Sequence, residues 1–588
     1  MKGNKMIREW MSRMSLILLT IIVITGCSES NSDFSTGIDP DPMTVAASET
    51  ADAGIYGNKD EYVKSTEPLE DVHPNTGDLS ESELEEFSVL FNTPEYSGFL
   101  IESFDDISEI NWETILGSGA GINAAEVSVD EVDDYLQTVK RNELYTDLIV
   151  LRKTDILQYI RNHSGKDIDP DSLSLPWLYI EDRNSYYFEQ WSSDEKHYTC
   201  ISGERSGDEF TLRFQLDGDV HFGKNADRVV KCTKSGDDLI MESNAVQWED
   251  LCDASQTFDI DLSGNGDPVR FITYPADGDK GVSIVMLKNG KHLQDINTSV
   301  YRGNENGYLS EITAVGFFNF NADDVKDIVI TGRSDLGENI LLYESVNTDE
   351  YYIQCYGIDE KLEKELGSGF TISRVKEALL GDNRESRFDS YQKAYAQIAK
   401  IYNMSSDELL YGLIDTDGDD IPELVIDKPG YHTSLYSYNN GHAECLMYQW
   451  AYGAMGNSGY SYAPGKGVFY NMNSDYAGAV YHESYMSKRE GAEIDVDYAV
   501  TNYCFKDIDG DGQPSEEELE ATGDYAVYSK KYYNETDEEM PEEEVKKKIE
   551  QLEGLQYEFL GGDKDYEDLI GQMCYNAVGY RSGEEQSG

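Results

Sequence analysis

Acidic residues dominate the charge of this 588-residue chain and limit how it can fold. Its 114 Asp and Glu residues against 47 Lys and Arg residues give a formal net charge of −67. Such a charge suits a solvated surface and bound cations, and it repels the phosphates of nucleic acids. Apolar residues still make up 39% of the sequence and aromatic residues 11%, which is enough for packed cores. We therefore expect a folded protein that binds cations and no nucleic acid.

The first 26 residues have the pattern of a secretory signal peptide. Four cations against one acid precede an apolar run over residues 16–24. That run is about half of the roughly 20 residues that a membrane-spanning helix needs, so a cleaved signal is favoured over a transmembrane helix. Residues 24–27, Ile-Thr-Gly-Cys, resemble the lipobox of bacterial lipoproteins. The resemblance implies that Cys27 is acylated, and that it anchors the mature chain to the lipid bilayer on the extracytoplasmic face of the cell membrane.

The remaining sequence predicts an α+β, multidomain fold. Residues 27–77 are rich in Ser, Asp, Thr and Pro without apolar periodicity, which indicates a flexible tether. Helical patterns dominate residues 79–165, where Ser80 and Glu83 form a capping box, and strand patterns follow from about 186. The predicted parts after the tether are a helix-led α+β domain (78–252), a β-rich domain (253–356), a connector (357–385), a C-terminal α+β domain (386–580) and a frayed tail (581–588).

Seven cysteines remain once Cys27 carries lipid, so at least one thiol is unpaired within the chain. Their wide spacing contains no CxxC, which argues against zinc knuckles and thioredoxin chemistry. A disulfide bridge is possible between two of the three cysteines that lie near one another in sequence, Cys200, Cys232 and Cys252. Buried free thiols at these positions are an equal alternative.

The acidic loop 507–518 has the ligand spacing of a calcium site. Calcium takes about six to eight oxygen ligands, and positions 1, 3, 5, 7, 9 and 12 of this loop all offer one. The predicted ligands are Asp507, Asp509, Asp511, the Gln513 carbonyl, Ser515 through a water, and Glu518. The loop resembles an EF-hand loop, except that Pro514 removes a backbone donor at position 8. This departure favours a lone, dockerin-like site over a paired one. A solvated acidic turn is the alternative.

A second acidic loop lies between two apolar strands at residues 415–423. Its oxygens have the spacing of a nine-residue calcium loop. The predicted ligands are Asp415, Asp417, Asp419, the Ile421 carbonyl and Glu423. The loop resembles the strand-linked loops of FG-GAP repeat proteins. Asp420 stands where such loops carry glycine, and Asp tolerates the left-handed backbone that the turn requires.

Two weaker copies of this pattern begin at Asp261 and Asn319. The copy at 319–327 aligns with 415–423 without a gap, whereas the copy at 261–269 has Val269 in place of the final acid. We expect both copies to form the hairpin but not to bind a metal ion. Their irregular spacing argues against a closed propeller.

No sequence motif of a hydrolase, a nucleotide-binding protein or a zinc enzyme is present, and no catalytic residue is assigned. Aromatic residues cluster between 448 and 485; cross-strand pairs inside a sheet are favoured over a surface that stacks on sugar rings. The lipobox, LSESELEEF and DTDGDDIPELVI resemble uncharacterised surface lipoproteins of Gram-positive bacteria. The sequence thus predicts a calcium-binding lipoprotein with an unknown extracellular ligand, polysaccharide or protein. The alternative is an extracellular hydrolase whose catalytic carboxylates are hidden among the other acids.

Overall fold

A computed structural model describes residues 76–574 apart from short gaps. The gaps are 118–119, 191–195, 219–225, 278–280, 382, 384–385, 406, 455, 490–492, 509, 511 and 523–525. The predicted signal peptide, Cys27 and the frayed tail lie outside the described residues. So does the predicted tether, except for its last two residues, which belong to the first strand.

The fold is α+β and multidomain, as predicted. The described helices are α1 (Glu81–Phe91), α2 (Ser97–Ile101), α3 (Trp112–Leu116), α4 (Val129–Thr138), α5 (Lys153–Ser164), α6 (Ile358–Leu366), α7 (Ile372–Leu380), α8 (Tyr391–Tyr402), α9 (Glu516–Thr522) and α10 (Glu542–Glu553). The strands as far as residue 302 are β1 (Thr76–Asp78), β2 (Asp147–Arg152), β3 (Leu178–Ile180), β4 (Ser185–Gln190), β5 (Tyr198–Ser206), β6 (Glu209–Leu216), β7 (Arg228–Ser235), β8 (Asp238–Val246), β9 (Phe258–Ile260), β10 (Val269–Tyr274), β11 (Ser283–Lys288), β12 (Lys291–Ile296) and β13 (Ser299–Arg302). The later strands are β14 (Glu305–Tyr308), β15 (Glu311–Phe318), β16 (Asp327–Ser334), β17 (Gly337–Ser345), β18 (Tyr352–Gln354), β19 (Leu410–Ile414), β20 (Glu423–Lys428), β21 (His432–Asn439), β22 (His442–Ala451), β23 (Tyr460–Ala463), β24 (Val468–Asp475), β25 (Val480–Arg489), β26 (Glu493–Tyr503), β27 (Ser529–Tyr533), β28 (Glu539–Met540) and β29 (Glu558–Phe559).

The N-terminal part packs helices on an antiparallel sheet. Helix α1 begins at the predicted capping box, where the N–H and the hydroxyl of Ser80 donate to Oε2 of Glu83 at 2.8 and 2.7 Å. The sheet has the strand order β1-β5-β6-β7-β8. Alternate residues of β6, Phe210, Leu212 and Phe214, are buried in the core that this sheet shares with α1 to α3. The alternation is the one that a half-buried strand requires.

Three four-stranded antiparallel sheets then repeat one arrangement. Each is built from consecutive strands: β9 to β12, β15 to β18, and β19 to β22. In each sheet an acidic loop connects the first strand to the second, so the loops that begin at Asp261, Asn319 and Asp415 occupy equivalent places. A seven-stranded sheet of order β28-β27-β26-β25-β24-β23-β29 follows.

These sheets pack face to face in the order in which they follow one another along the chain. Successive residues of an inner strand point to opposite faces, so each inner strand contributes side chains to the core on either side of it. In β16, Ile328 and Ile330 pack towards the β9–β12 sheet, whereas Val329 packs towards α6, α7, α8 and the β19–β22 sheet. In β20, Leu424 shares the core of Val329, and Val425 lies in the core against the seven-stranded sheet. The acidic loops are therefore held between large apolar cores.

The predicted connector, 357–385, contributes two helices to one of these cores. Ile358 and Leu362 of α6 and Leu379 of α7 are buried together with Val329 and Leu424. Spacings of three and four residues place such side chains on one helix face, which covers the sheets on both sides. The boundaries predicted at 356 and 386 thus fall within a single core.

The aromatic stretch between 448 and 485 is mostly interior. Tyr452, Tyr460, Tyr462 and Phe469 are buried where the β19–β22 sheet meets the seven-stranded sheet. Tyr470 lies opposite Tyr485 on adjacent strands, with ring centroids 5.2 Å apart. These residues thus agree with the favoured interpretation, in which the aromatic side chains lie inside the sheets.

Two observations apply to the described part of the chain as a whole. It contains no helix of the length and apolarity needed to cross a membrane. Its seven cysteines, Cys200, Cys232, Cys252, Cys355, Cys445, Cys504 and Cys574, are all unpaired.

Candidate metal centre

Three carboxylates converge in the loop that joins β19 to β20. One ligand oxygen each from Asp415, Asp417 and Glu423 lies within 4.8 Å of the others. Asp415 is exposed, Asp417 is half-buried and Glu423 is 2% exposed. The structure thus brings together three of the five ligands predicted for this loop. These carboxylates can hold a metal ion.

Hydrogen bonds from side chains to the backbone shape this loop. Oδ1 of Asp415 accepts the N–H of Gly418 at 2.7 Å, and Oδ1 of Asp419 accepts the N–H of Ile421 at 2.8 Å. Gly418 and Asp420 have φ values of +83° and +68°, so both adopt the left-handed conformation that the tight turn needs. The predicted ligand Asp419 therefore lies in the turn itself, outside the group of three converging carboxylates, and holds the N–H of Ile421 there.

Glu423 closes the loop from the first residue of β20. Its Oε2 accepts both the N–H and the hydroxyl of Thr416 at 2.8 Å. Burial raises the pKa of Glu423 to about 7; the bonds from Thr416 and the Lys488 ammonium oppose this shift, and the charge of Asp417 adds to it. A bound cation would favour the ionised carboxylate in the same way as any positive neighbour.

The loop is docked against the seven-stranded sheet. The N–H of Gly465 donates to the carbonyl of Asp415 at 3.1 Å, and the N–H of Gly467 donates to the carbonyl of Thr416 at 2.7 Å. Nζ of Lys488 lies 3.0 Å from Oδ2 of Asp417. The candidate site therefore lies where the β19–β22 sheet meets the seven-stranded sheet.

A buried tyrosine that sequence reasoning missed belongs to the surroundings of this loop. Tyr395 of α8 is fully buried, and its hydroxyl has no hydrogen-bond partner among the described residues. Burial raises the pKa of Tyr395, and the charges of Glu423, Asp419 and Asp417 raise it further.

The described residues of the loop 507–518 show a similar scheme. Both oxygens of Asp507 accept backbone N–H groups, from Gly510 at 2.7 Å and from Gly512 at 3.2 Å. Oε1 of Glu518 accepts the N–H of Ile508 at 2.6 Å, while its Oε2 accepts the N–H and the hydroxyl of Ser515 at 2.9 and 2.7 Å. Ser515 and Glu518 thus form a capping box at the start of α9. The predicted ligands Asp509 and Asp511 lie outside the described residues, and Gln513 is exposed.

The two weaker loops keep the turn. Oδ1 of Asp261 accepts the N–H of Gly264 at 2.7 Å, and Oδ1 of Asn319 accepts the N–H of Ala322 at 2.7 Å. These bonds match the one between Asp415 and Gly418. In the loop 319–327 the closing acid, Asp327, also accepts the N–H of the second loop residue, Phe320, at 2.6 Å.

The loop 319–327 leads into a cluster of buried acids. Asp323, Asp327 and Glu344 are at most 6% exposed, and burial raises the pKa of each. The hydroxyl of Ser345 donates to Asp323 at 2.8 Å, and its N–H donates to Asp327 at 3.0 Å. Asp323 and Glu344 line a cavity of about 10 Å³, which has room for about one water molecule.

Comparison with known proteins identifies no family. No protein-family model and no curated protein matches the chain. Among solved structures, prolyl oligopeptidase B from Galerina marginata in its apo form aligns with 79% of this chain and 61% of its own chain, at 11% identity and a TM-score of 0.13. The same enzyme bound to a 25mer macrocyclization substrate aligns with 69% of this chain and 48% of its own, at 10% identity and a TM-score of 0.12. The chain thus spans about three fifths of the apo enzyme, and such TM-scores carry no argument about fold or function.

Proposed function

We propose that this protein is a calcium-binding lipoprotein in which an ion at Asp415, Asp417 and Glu423 stabilises the packing of two sheets. The observation that carries the proposal is the convergence of these three carboxylates within 4.8 Å. A site made only of oxygens suits a hard cation, and calcium accepts flexible, many-liganded oxygen sites more readily than magnesium does. Calcium is plentiful outside the cell, so even a weak site is filled there.

The lipid anchor is the second part of the proposal. The lipobox-like residues before Cys27 support acylation, and the polar residues up to 77 support a tether between the membrane and the folded part. On this basis the folded part lies on the extracytoplasmic face. There it serves as a binding module for an extracellular polysaccharide or protein.

Calorimetry and thermal melting of the chain from residue 27 onwards, with Cys27→Ala to keep it soluble, test calcium binding. We expect calcium to raise the melting temperature, because a ligand at about 100-fold its dissociation constant adds about 2.7 kcal/mol to the free energy of unfolding. Asp415→Asn combined with Glu423→Gln should remove the binding heat of this site. Asp420→Asn removes one charge from the same loop but no converging ligand, and should leave that heat in place. No heat at millimolar calcium, with unchanged melting in a chelator, would refute the proposal.

A further inference from the structure

One of the carboxylates proposed as ligands already forms an ion pair with a lysine of the neighbouring sheet. Lys488 lies on β25 of the seven-stranded sheet, and its Nζ is 3.0 Å from Oδ2 of Asp417. The two side chains are 25% and 23% exposed, so solvent screens this ion pair only in part.

The hydrogen bonds of Asp417 show why this contact matters for an ion. Oδ1 of Asp417 accepts the N–H of Asp419 at 3.3 Å, within the turn. Oδ2 is the other oxygen, and the Lys488 ammonium lies against it. A metal ion that binds Asp417 through Oδ2 must therefore share that oxygen with the ammonium or displace it.

We infer that Lys488 is a built-in competitor of the metal ion, a role that rests on the proposed function of this loop. In the ion-free protein its ammonium neutralises Asp417 and holds the loop against the seven-stranded sheet. Calcium takes over both tasks and releases the ammonium. The exchange exposes a lysine on one sheet when an ion binds to the next, and it lowers the affinity below what the three carboxylates alone would give.

The size of the competition follows from Coulomb repulsion. A divalent ion and an ammonium about 6 Å apart, in a medium as polar as water, repel each other enough to weaken binding about tenfold. Removing the charge of Lys488 should therefore tighten calcium binding about tenfold. It should also lower the melting temperature in chelator, because Asp417 and its neighbours then lack their internal counter-ion.

Lys428 provides a matched control. Its Nζ forms an ion pair with Oδ1 of Asp407 at 2.7 Å, and its side chain is 29% exposed, close to the values for Lys488. Lys428 ends β20, five residues from Glu423, which is about 17 Å along an extended strand. Lys428→Met thus removes the same charge from the chain but not from the loop.

The experiment measures calcium binding by calorimetry at pH 8.5, where Glu423 is ionised, for wild type, Lys488→Met, Lys488→Arg and Lys428→Met. We expect Lys488→Met to bind about tenfold tighter, and Lys428→Met and the charge-retaining Lys488→Arg to stay within about threefold of wild type. If wild type binds calcium and Lys488→Met binds no tighter, the competitor role is wrong and the calcium proposal stands. If wild type binds no calcium, the calcium proposal itself fails. Should Lys488→Met not fold, Lys488→Gln provides the same comparison.

Discussion

The hydroxyl of Tyr402 donates to Oε1 of Glu344 at 3.0 Å, in the core that joins the β15–β18 sheet to the β19–β22 sheet. Tyr448 donates to the same oxygen at 2.8 Å. Burial nevertheless raises the pKa of Glu344 to about 7, because these bonds offset only part of the lost hydration. The protonated carboxyl is therefore favoured in the folded protein relative to the unfolded chain.

Stability should accordingly fall as the pH rises through this range. Glu344 contributes its full stabilisation below its ordinary pKa of 4.5 and loses it as the pH rises to about 7. Between pH 5 and pH 8, wild type should lose up to about 3 kcal/mol of unfolding free energy relative to Glu344→Gln, whose amide is neutral throughout. Urea denaturation at several pH values measures this, with the exposed Glu305→Gln as control. A difference that does not vary with pH would contradict the raised pKa.

The turn of the metal loop should be sensitive to a single methyl group. Gly418 has φ +83°, and a Cβ there would lie 3.3 Å from the carbonyl oxygen of Gly465. Gly430 has a similar φ of +78° with open space around it. We expect Gly430→Ala to cost about 1 kcal/mol for backbone strain alone, and Gly418→Ala to cost about 1 kcal/mol more and to weaken calcium binding. Denaturation of both variants in chelator gives the comparison, and equal losses would mean that the contact with Gly465 is relaxed.

The loop 507–518 should contribute separately to the effect of calcium. Asp507→Asn with Glu518→Gln removes two predicted ligands, and we expect it to reduce the rise in melting temperature that calcium produces. Glu517→Gln, at an exposed position of the same helix, should not. Both variants must be compared in chelator as well, because Glu518 also accepts bonds from Ile508 and Ser515 that hold the ion-free loop. An unchanged calcium response in the double variant would restrict binding to the loop 415–423.

The anchor prediction concerns Cys27. Wild type should carry an acylated N-terminal cysteine and enter the detergent phase on extraction, because acyl chains transfer many CH₂ groups into the bilayer. Cys27→Ala should not be acylated and should lose that partitioning. Mass spectrometry of the mature N-terminus decides the matter: an unmodified cysteine in wild type rules out the lipid anchor.

The three converging carboxylates of the loop 415–423 were predictable because nine consecutive residues contain these acids, the turn and the closing acid. The positions of Lys488 and Tyr395 relative to this loop could not be predicted, because they depend on the tertiary packing of β25 and α8. At 507–518, Ser515 was predicted as a water-bound ligand position. The same Ser-x-x-Glu spacing is also the signal of a capping box, and in the structure Ser515 and Glu518 bond to each other in that way.

The buried acids were missed for a different reason. Burial of Asp323 and Asp327 depends on neighbours such as Ser345, which supply hydrogen bonds from a separate strand. In this loop the first and third positions are Asn319 and Asn321 rather than Asp, which lowers the local charge enough for the remaining acids to be buried. The fold class followed from the alternation of strand and helix patterns. The sequence patterns did not predict the single core around α6 and α7, because no local pattern shows which sheet the apolar face of a helix will cover.

In the loops that begin at Asp261, Asn319 and Asp415, the first side chain fixes the turn by accepting a backbone N–H. The connection between strands is thus formed by the chain itself, and we expect a bound ion to strengthen a turn that these hydrogen bonds already hold. The loop at 261 has Val269 in place of a closing acid and still forms the same turn. If the loop 415–423 binds calcium as proposed, the turn that the three loops share does not itself require the ion, and metal binding can differ from one copy to the next while the strands around the copies stay the same.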